Sequence, residues 1–144
     1  MIYFDSSALV KRYLEEDGSG RVNSIMNNTI TIATSKLTYP EMLSVFTRKY
    51  KNKDITKKEL HQAINEFEID WNYFLVVEFK DELFSIIKKI LEKHSLKGAD
   101  SVHLSSALWL RNIVKEDITF VASDINLLKA VKFEGLQITN PQKI

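Results

Sequence analysis

The sequence contains no cysteine. Disulfides, thiolate zinc sites and cysteine nucleophiles are thereby excluded, and the composition is compatible with a reducing compartment. No repeat, low-complexity tract or linker-like stretch interrupts the chain. No run approaches the ~18 apolar residues of a membrane span, and no signal-peptide pattern is present. The expectation is a soluble, cytoplasmic protein with no membrane partner. An excess of one charge is also missing: 20 basic residues stand against 19 acidic ones, a net charge of +1. That balance argues against a globally basic nucleic-acid binder. The 144 residues fit one domain spanning 1–144. A domain of this size buries about 68–70% of its unfolded surface, so a core forms without staples.

What is present is a regular alternation of strand and helix signals. Met1-Ile2-Tyr3-Phe4 is a short apolar run that ends at Asp5. Ser6 and Ser7 follow, and Ala8 to Leu14 reads as a helix. Glu15 to Gly20 is a turn, and Arg21 to Asn28 a short helix with Val22, Ile25 and Met26 on one face. Ile30 to Thr34 has β-branched strand content. Pro40 predicts a helix start between Thr38 and Pro40, with Glu41 in its first turn and Tyr50 near its end.

Thr56-Lys57-Lys58-Glu59 fits a capping box. Leu60, Ala63, Ile64, Phe67 and Trp71 then recur at helical spacing. Leu75 to Val77 is a strand candidate, and Asp81 to His94 a helix rich in apolar positions from Leu83 to Leu91. After a break at Ser95 to Gly98, a helix runs from Ala99 to Asn112. Ile118 to Ala122 is a strand that ends at Ser123-Asp124, followed by a helix over Asn126 to Val131 and a last strand over Leu136 to Thr139. The order predicts an α/β fold, a three-layer α/β/α sandwich with a mostly parallel central sheet.

Four acids share one placement in that scheme. Asp5 and Asp124 follow strands, while Glu41 and Asp100 lie in first turns of helices. Carboxyl ends of parallel strands and amino ends of the following helices face the same side, where ligands bind. Taken singly, each acid reads as a helix cap that offsets the macrodipole. Together they are candidates for one site. Carboxylates within ~4–6 Å repel one another, and a hard cation removes that problem. With oxygen donors and no cysteine, Mg²⁺ is the natural occupant and Mn²⁺ a substitute. Such an ion activates water for hydrolysis of a phosphodiester without a protein nucleophile.

Met1 to Lys11, Tyr39-Pro40-Glu41, Leu96-Lys97-Gly98-Ala99-Asp100-Ser101-Val102-His103-Leu104 and Phe120-Val121-Ala122-Ser123-Asp124 resemble the four motifs of PIN-domain ribonucleases. The match is best to the VapC-type toxins of bacterial and archaeal toxin–antitoxin pairs, and it runs in order along essentially the whole chain. The resemblance implies an acidic quartet of Asp5, Glu41, Asp100 and Asp124 that holds Mg²⁺ or Mn²⁺, with Ser6, Ser7 and Ser123 in support. It further implies endonuclease cleavage of structured RNA, tRNA or rRNA. The implied partners are a second copy of the chain and a cognate antitoxin that covers the site. Many relatives carry Thr or Ser two residues before the fourth acid, where this chain has Ala122.

Other residues admit two readings. His103 follows Asp100 by three positions, near the same helix face; a packing or hydrogen-bonding role is favoured over acid–base work. His61 and His94 read as surface. Trp71, Tyr73, Phe74 and Trp109 suit core or interface better than base stacking. Lys11 and Arg12 read as a solvated face or as phosphate contacts. Arg48, Lys49, Lys51, Lys53, Lys57 and Lys58 fall within eleven residues and form either a solvated helix end or a basic rim for a phosphate backbone. The rival functions are a non-catalytic PIN scaffold and another Mg²⁺ enzyme on an α/β sheet. A receiver domain needs a phosphorylatable Asp at the Leu75–Val77 strand, and an Asp-x-Asp phosphatase needs Asp where Ser7 stands; neither is present.

Overall fold

A computed structural model describes residues 1–142. The last two residues of the expected 1–144 domain, Lys143 and Ile144, lie outside the described residues. Five strands form one sheet: β1 (Ile2–Phe4), β2 (Ile32–Ser35), β3 (Leu75–Val77), β4 (Thr119–Val121) and β5 (Gln137–Thr139). Their spatial order is β3-β2-β1-β4-β5, and every pairing is parallel. The chain builds outward from β1 to β3 and then restarts on the other side with β4. The β1–β4 boundary is therefore a topological switch point, where a crevice opens beyond the strand ends.

Among the described residues, seven α-helices accompany the strands: α1 (Ser6–Leu9), α2 (Ser19–Asn27), α3 (Thr38–Lys51), α4 (Lys57–Trp71), α5 (Phe84–Lys93), α6 (Gly98–Val114) and α7 (Ile125–Phe133). Strand alternation sorts the core into two layers. Phe4, Ile32 and Val121 pack with Leu9, Val22, Met42, Phe46, Leu60 and Phe67, beneath α1 to α4. Tyr3, Ala33 and Phe120 face the other way and pack with Ile90, Leu104, Leu108, Leu127 and Val131, beneath α5 to α7. The expected α/β/α sandwich is present, and the sheet is wholly parallel.

Several boundaries differ from the expectation. The first helix was expected over Ala8 to Leu14; it starts at Ser6, is α-helical for four residues, and tightens to a 3₁₀ turn over Val10–Arg12. The tightening carries Lys11 into the interior, 4% exposed, where its Nζ lies 2.8 Å from Glu16 Oε1. Lys11 is thus neither a solvated residue nor a phosphate contact. Arg12 is also engaged, donating to Asn23 Oδ1 at 2.9 Å. Strand β2 begins at Ile32 and not at Ile30, which is fully exposed. The expected Asp81–His94 helix opens with a 3₁₀ turn over Asp81–Leu83. Leu83 in that turn and Ile90 on α5 are buried in the core, while Phe84 and Leu91 on α5 are exposed. His94 is not a free surface residue, since its Nε2 lies 2.7 Å from Glu134 Oε2. Thr56 and Glu59 close the capping box of α4 reciprocally, at 3.1 and 2.9 Å.

Candidate active site

The loop after β1 is held by short polar contacts. Asp5 caps α1 in an extended conformation, and its Oδ1 accepts from Ala8 N at 3.2 Å. Ser7 Oγ lies 2.8 and 2.9 Å from the two oxygens of the same carboxylate. Ser123 N donates to Ser7 Oγ at 3.1 Å, which ties the loop after β4 to the loop after β1. Of the three serines singled out by resemblance, Ser7 supports Asp5 through its hydroxyl. Ser123 contributes its backbone amide, and its own hydroxyl is buried without a partner. Ser6 is half-buried in the first turn of α1. Ala122 is fully buried in the core layer under α6 and α7.

Asp124 repeats the Asp5 arrangement at β4. It caps α7, and its Oδ1 accepts from Leu127 N at 2.9 Å. Glu41 and Asp100 sit in the first turns of α3 and α6, as expected. Glu41 Oε1 lies 2.7 Å from His103 Nε2, and His103 Nδ1 lies 3.0 Å from the Tyr3 hydroxyl. His103 is 1% exposed. The structure bears out a hydrogen-bonding role for it. Tyr3 was unremarked in the sequence, hidden among apolar neighbours. The available signal was its position on β1, two residues before Asp5.

The electrostatics place the acids within one another's fields. Burial raises the Asp5 pKa to about 6, against the charge of His103 and the hydrogen bonds from Ser7 and Ala8, with Asp100 adding to the rise. Asp100 is also raised, first by burial and then by Asp124, with Glu41 contributing and His103 and Lys97 opposing. Burial pushes the His103 imidazole down, but its hydrogen bond to Glu41 and the charges of Asp5, Glu41 and Asp100 outweigh that, so the net shift is upward. Burial and the Asp5 charge keep Tyr3 a phenol.

The donor chemistry suits a hard divalent cation: carboxylate and hydroxyl oxygens, with several negative charges raising one another's proton affinity. Among the described residues, no three His, Asp or Glu side chains stand close enough to enclose an ion as placed. Asp5 and Glu41 instead spend oxygens on Ser7, Ala8 and His103. Each carboxylate still has free lone pairs, and Asp124 is half-buried with its Oδ1 engaged by Leu127 N.

The basic run of 48–58 covers the last turn of α3, the turn after it and the start of α4, at the opposite end of α3 from Glu41. Arg48, Lys51, Lys53, Lys57 and Lys58 are exposed, while Lys49 pairs with Glu16 at 3.8 Å. Trp71 and Phe74 border the core layer of Phe67, Tyr39 and Phe46, so the packing reading holds for them. Tyr73 is largely exposed. Trp109 is half-buried beneath Lys80 Nζ, 3.8 Å from the ring centre.

The chain has recognisable relatives. A family model described as PIN domain matches residues 2–133. The chain is 33% identical over 108 residues to Ribonuclease VapC45 and to Ribonuclease VapC49 of Mycobacterium tuberculosis, covering 75% of this chain and of each relative. Its fold resembles FitAcB from Neisseria gonorrhoeae, with a TM-score of 0.71 at 15% identity and full coverage of both chains. It also resembles VapBC2 from Rickettsia felis bound to a promoter DNA fragment, with a TM-score of 0.67 at 16% identity over 97% of this chain and 98% of that one. VapC20 of Mycobacterium tuberculosis, a sarcin–ricin-loop-cleaving toxin, aligns with a TM-score of 0.65 at 12% identity, over 90% and 95% of the two chains.

Proposed function

The chain belongs to the PIN-domain family, among its VapC-type ribonuclease toxins, and from that premise we propose a divalent-metal-dependent endoribonuclease acting on structured RNA. The observation that carries the site is the placement of Asp5 and Asp124 beyond the adjacent strands β1 and β4, tied together through Ser7, with Glu41 bonded to His103 on the Asp100 helix. In this reading the four carboxylates hold Mg²⁺, with Mn²⁺ as a substitute. The chemistry the ion supplies is activation of a water at neutral pH and stabilisation of charge on the scissile phosphate. Ser7 fixes the Asp5 carboxylate, and the Ser123 amide fixes Ser7 against the neighbouring strand end. The amino ends of α3, α6 and α7 point to the same rim and favour negative charge there.

RNA is the substrate, with tRNA or rRNA as the class. The exposed basic turn between α3 and α4 provides a phosphate contact outside the acidic centre. A cognate antitoxin is the protein partner. The second copy of the chain docks on α5, where exposed Phe84 and Leu91 share a face at a seven-residue spacing and Phe79 lies 5.9 Å from Phe84. Sedimentation at tens of micromolar then gives a dimer; a monomer alone at that concentration contradicts the arrangement.

The activity test uses partner-free protein and total cellular RNA, with Mg²⁺, Mn²⁺ or EDTA. Asp5→Asn and Asp100→Asn run alongside, because each keeps shape and removes a charge. Discrete fragments that require metal and disappear in both variants are expected. Intact RNA with folded protein favours a non-catalytic binding scaffold instead.

A further inference from the structure

Tyr3, His103 and Glu41 form one continuous chain of hydrogen bonds from the sheet to the rim. The links are 3.0 Å from the Tyr3 hydroxyl to Nδ1 and 2.7 Å from Nε2 to Glu41 Oε1. The register of two elements produces it. Tyr3 lies on β1 and Asp5 two residues on, just past the strand end; His103 and Asp100 lie three apart on α6, near one face. The same strand–helix contact therefore presents two acids and one tyrosine–histidine pair. The imidazole is gripped on its ring as well: it meets Tyr3 edge-on at 6.1 Å between centres, and Tyr3 stacks on Phe120 at 5.0 Å.

The bonding pattern has one consistent assignment at the rim. An ionised Glu41 only accepts, so Nε2 must carry the proton it shares with Oε1. Nδ1 then pairs with the Tyr3 hydroxyl whichever of the two donates. One oxygen of Glu41 is thereby committed and its side-chain torsions are restrained. The other oxygen remains available. A half-buried glutamate on the first turn of a helix otherwise samples several rotamers, each costing order on binding.

We propose that His103 is a positioning residue for Glu41, with Tyr3 holding the imidazole ring, so that Glu41 Oε2 is presented to a divalent cation in a fixed orientation. This rests on Glu41 being one of the cation-holding acids. It assigns to the Asp100 helix a second role: it supplies one acid directly and orients another that comes from a different element. Partners of this kind typically contribute 10–100-fold to metal affinity or activity.

The test is Mn²⁺ binding by the metal-free full chain, followed by paramagnetic resonance of the unbound ion, with cleavage kinetics on RNA in parallel. His103→Ala weakens Mn²⁺ about 10–100-fold. His103→Gln, whose amide reproduces a donor near Nε2, restores most of it. Tyr3→Phe gives a smaller loss in the same direction, a few-fold. In a Glu41→Gln background, His103→Ala adds no further loss, because its route to the ion is already cut. His103→Gln and Tyr3→Phe carry the test where His103→Ala fails to fold. The proposal is overturned if the His103 variants bind Mn²⁺ and cleave within twofold of wild type. It is equally overturned if the losses of His103→Ala and Glu41→Gln simply add, the behaviour of a packing residue. Wild-type protein that neither binds Mn²⁺ nor cleaves RNA removes the nuclease reading itself, and this proposal with it.

Discussion

Asp5 beyond β1 and Asp124 beyond β4 share one local design: a strand end, an extended Asp, and a helix whose amide three residues on donates to the carboxylate, at 3.2 and 2.9 Å. Their surroundings differ. Asp5 follows the central strand and is 3% exposed, bonded on both oxygens by Ser7 and overlooked by His103 and Asp100. Asp124 follows a strand one step nearer the edge and is half-buried, with a hydroxyl neighbour, Ser123, that makes no bond. The same cap serves as a buried charge in one place and an adjustable side chain in the other. Local grammar sets the cap, and tertiary burial sets what the charge is worth.

The largest expected effect follows from that contrast. Asp5→Asn, in the buried and rigid position, lowers metal-dependent cleavage at least about 100-fold, since even the partners of metal ligands contribute 10–100-fold. Asp124→Asn, in the open position, lowers it less, about tenfold. RNA cleavage rates at saturating Mg²⁺ give both numbers. Equal losses would erase the distinction between the two ends.

A smaller effect separates them by stability. Burial raises the Asp5 pKa from 3.8 to about 6, so the folded state holds that proton more tightly than the unfolded chain does. The contribution of Asp5 to stability therefore falls as pH rises from about 4 to about 6, and it stays low above that. A shift of this size corresponds to roughly 2–3 kcal/mol. In metal-free buffer, the stability of Asp5→Asn relative to wild type should rise across that window and level off above it. Urea unfolding at a series of pH values measures the difference. A flat difference from pH 4 to 8 would mean that Asp5 is solvated.

The sequence carried the parts of this molecule that are local. The capping box at Thr56 and Glu59, the strand ends at Asp5 and Asp124, and the first-turn placement of Glu41 and Asp100 were all legible, because capping and periodicity depend on neighbours a few residues apart. The buried Lys11 was not, because its burial follows from a 3₁₀ tightening after Leu9 and from a partner, Glu16, across a turn. Nor was the link from Tyr3 to His103, which joins residues 100 positions apart. The polarity of Tyr3 is concealed by an apolar strand. Which of the apolar residues of α5 stay exposed was not legible for a similar reason: helical periodicity gives an apolar face, but only packing decides whether the sheet covers all of it.

The most direct measurement is the change in thermal midpoint on adding Mg²⁺ to wild type and to Asp5→Asn at pH 8. Saturation at about 100 times the dissociation constant stabilises a binding fold by about 2.7 kcal/mol. For a chain of this size that is roughly 5–10 °C. Wild type should gain that amount and Asp5→Asn less than half of it. Equal gains, or none in wild type, would contradict a cation site built around the buried carboxylate of Asp5.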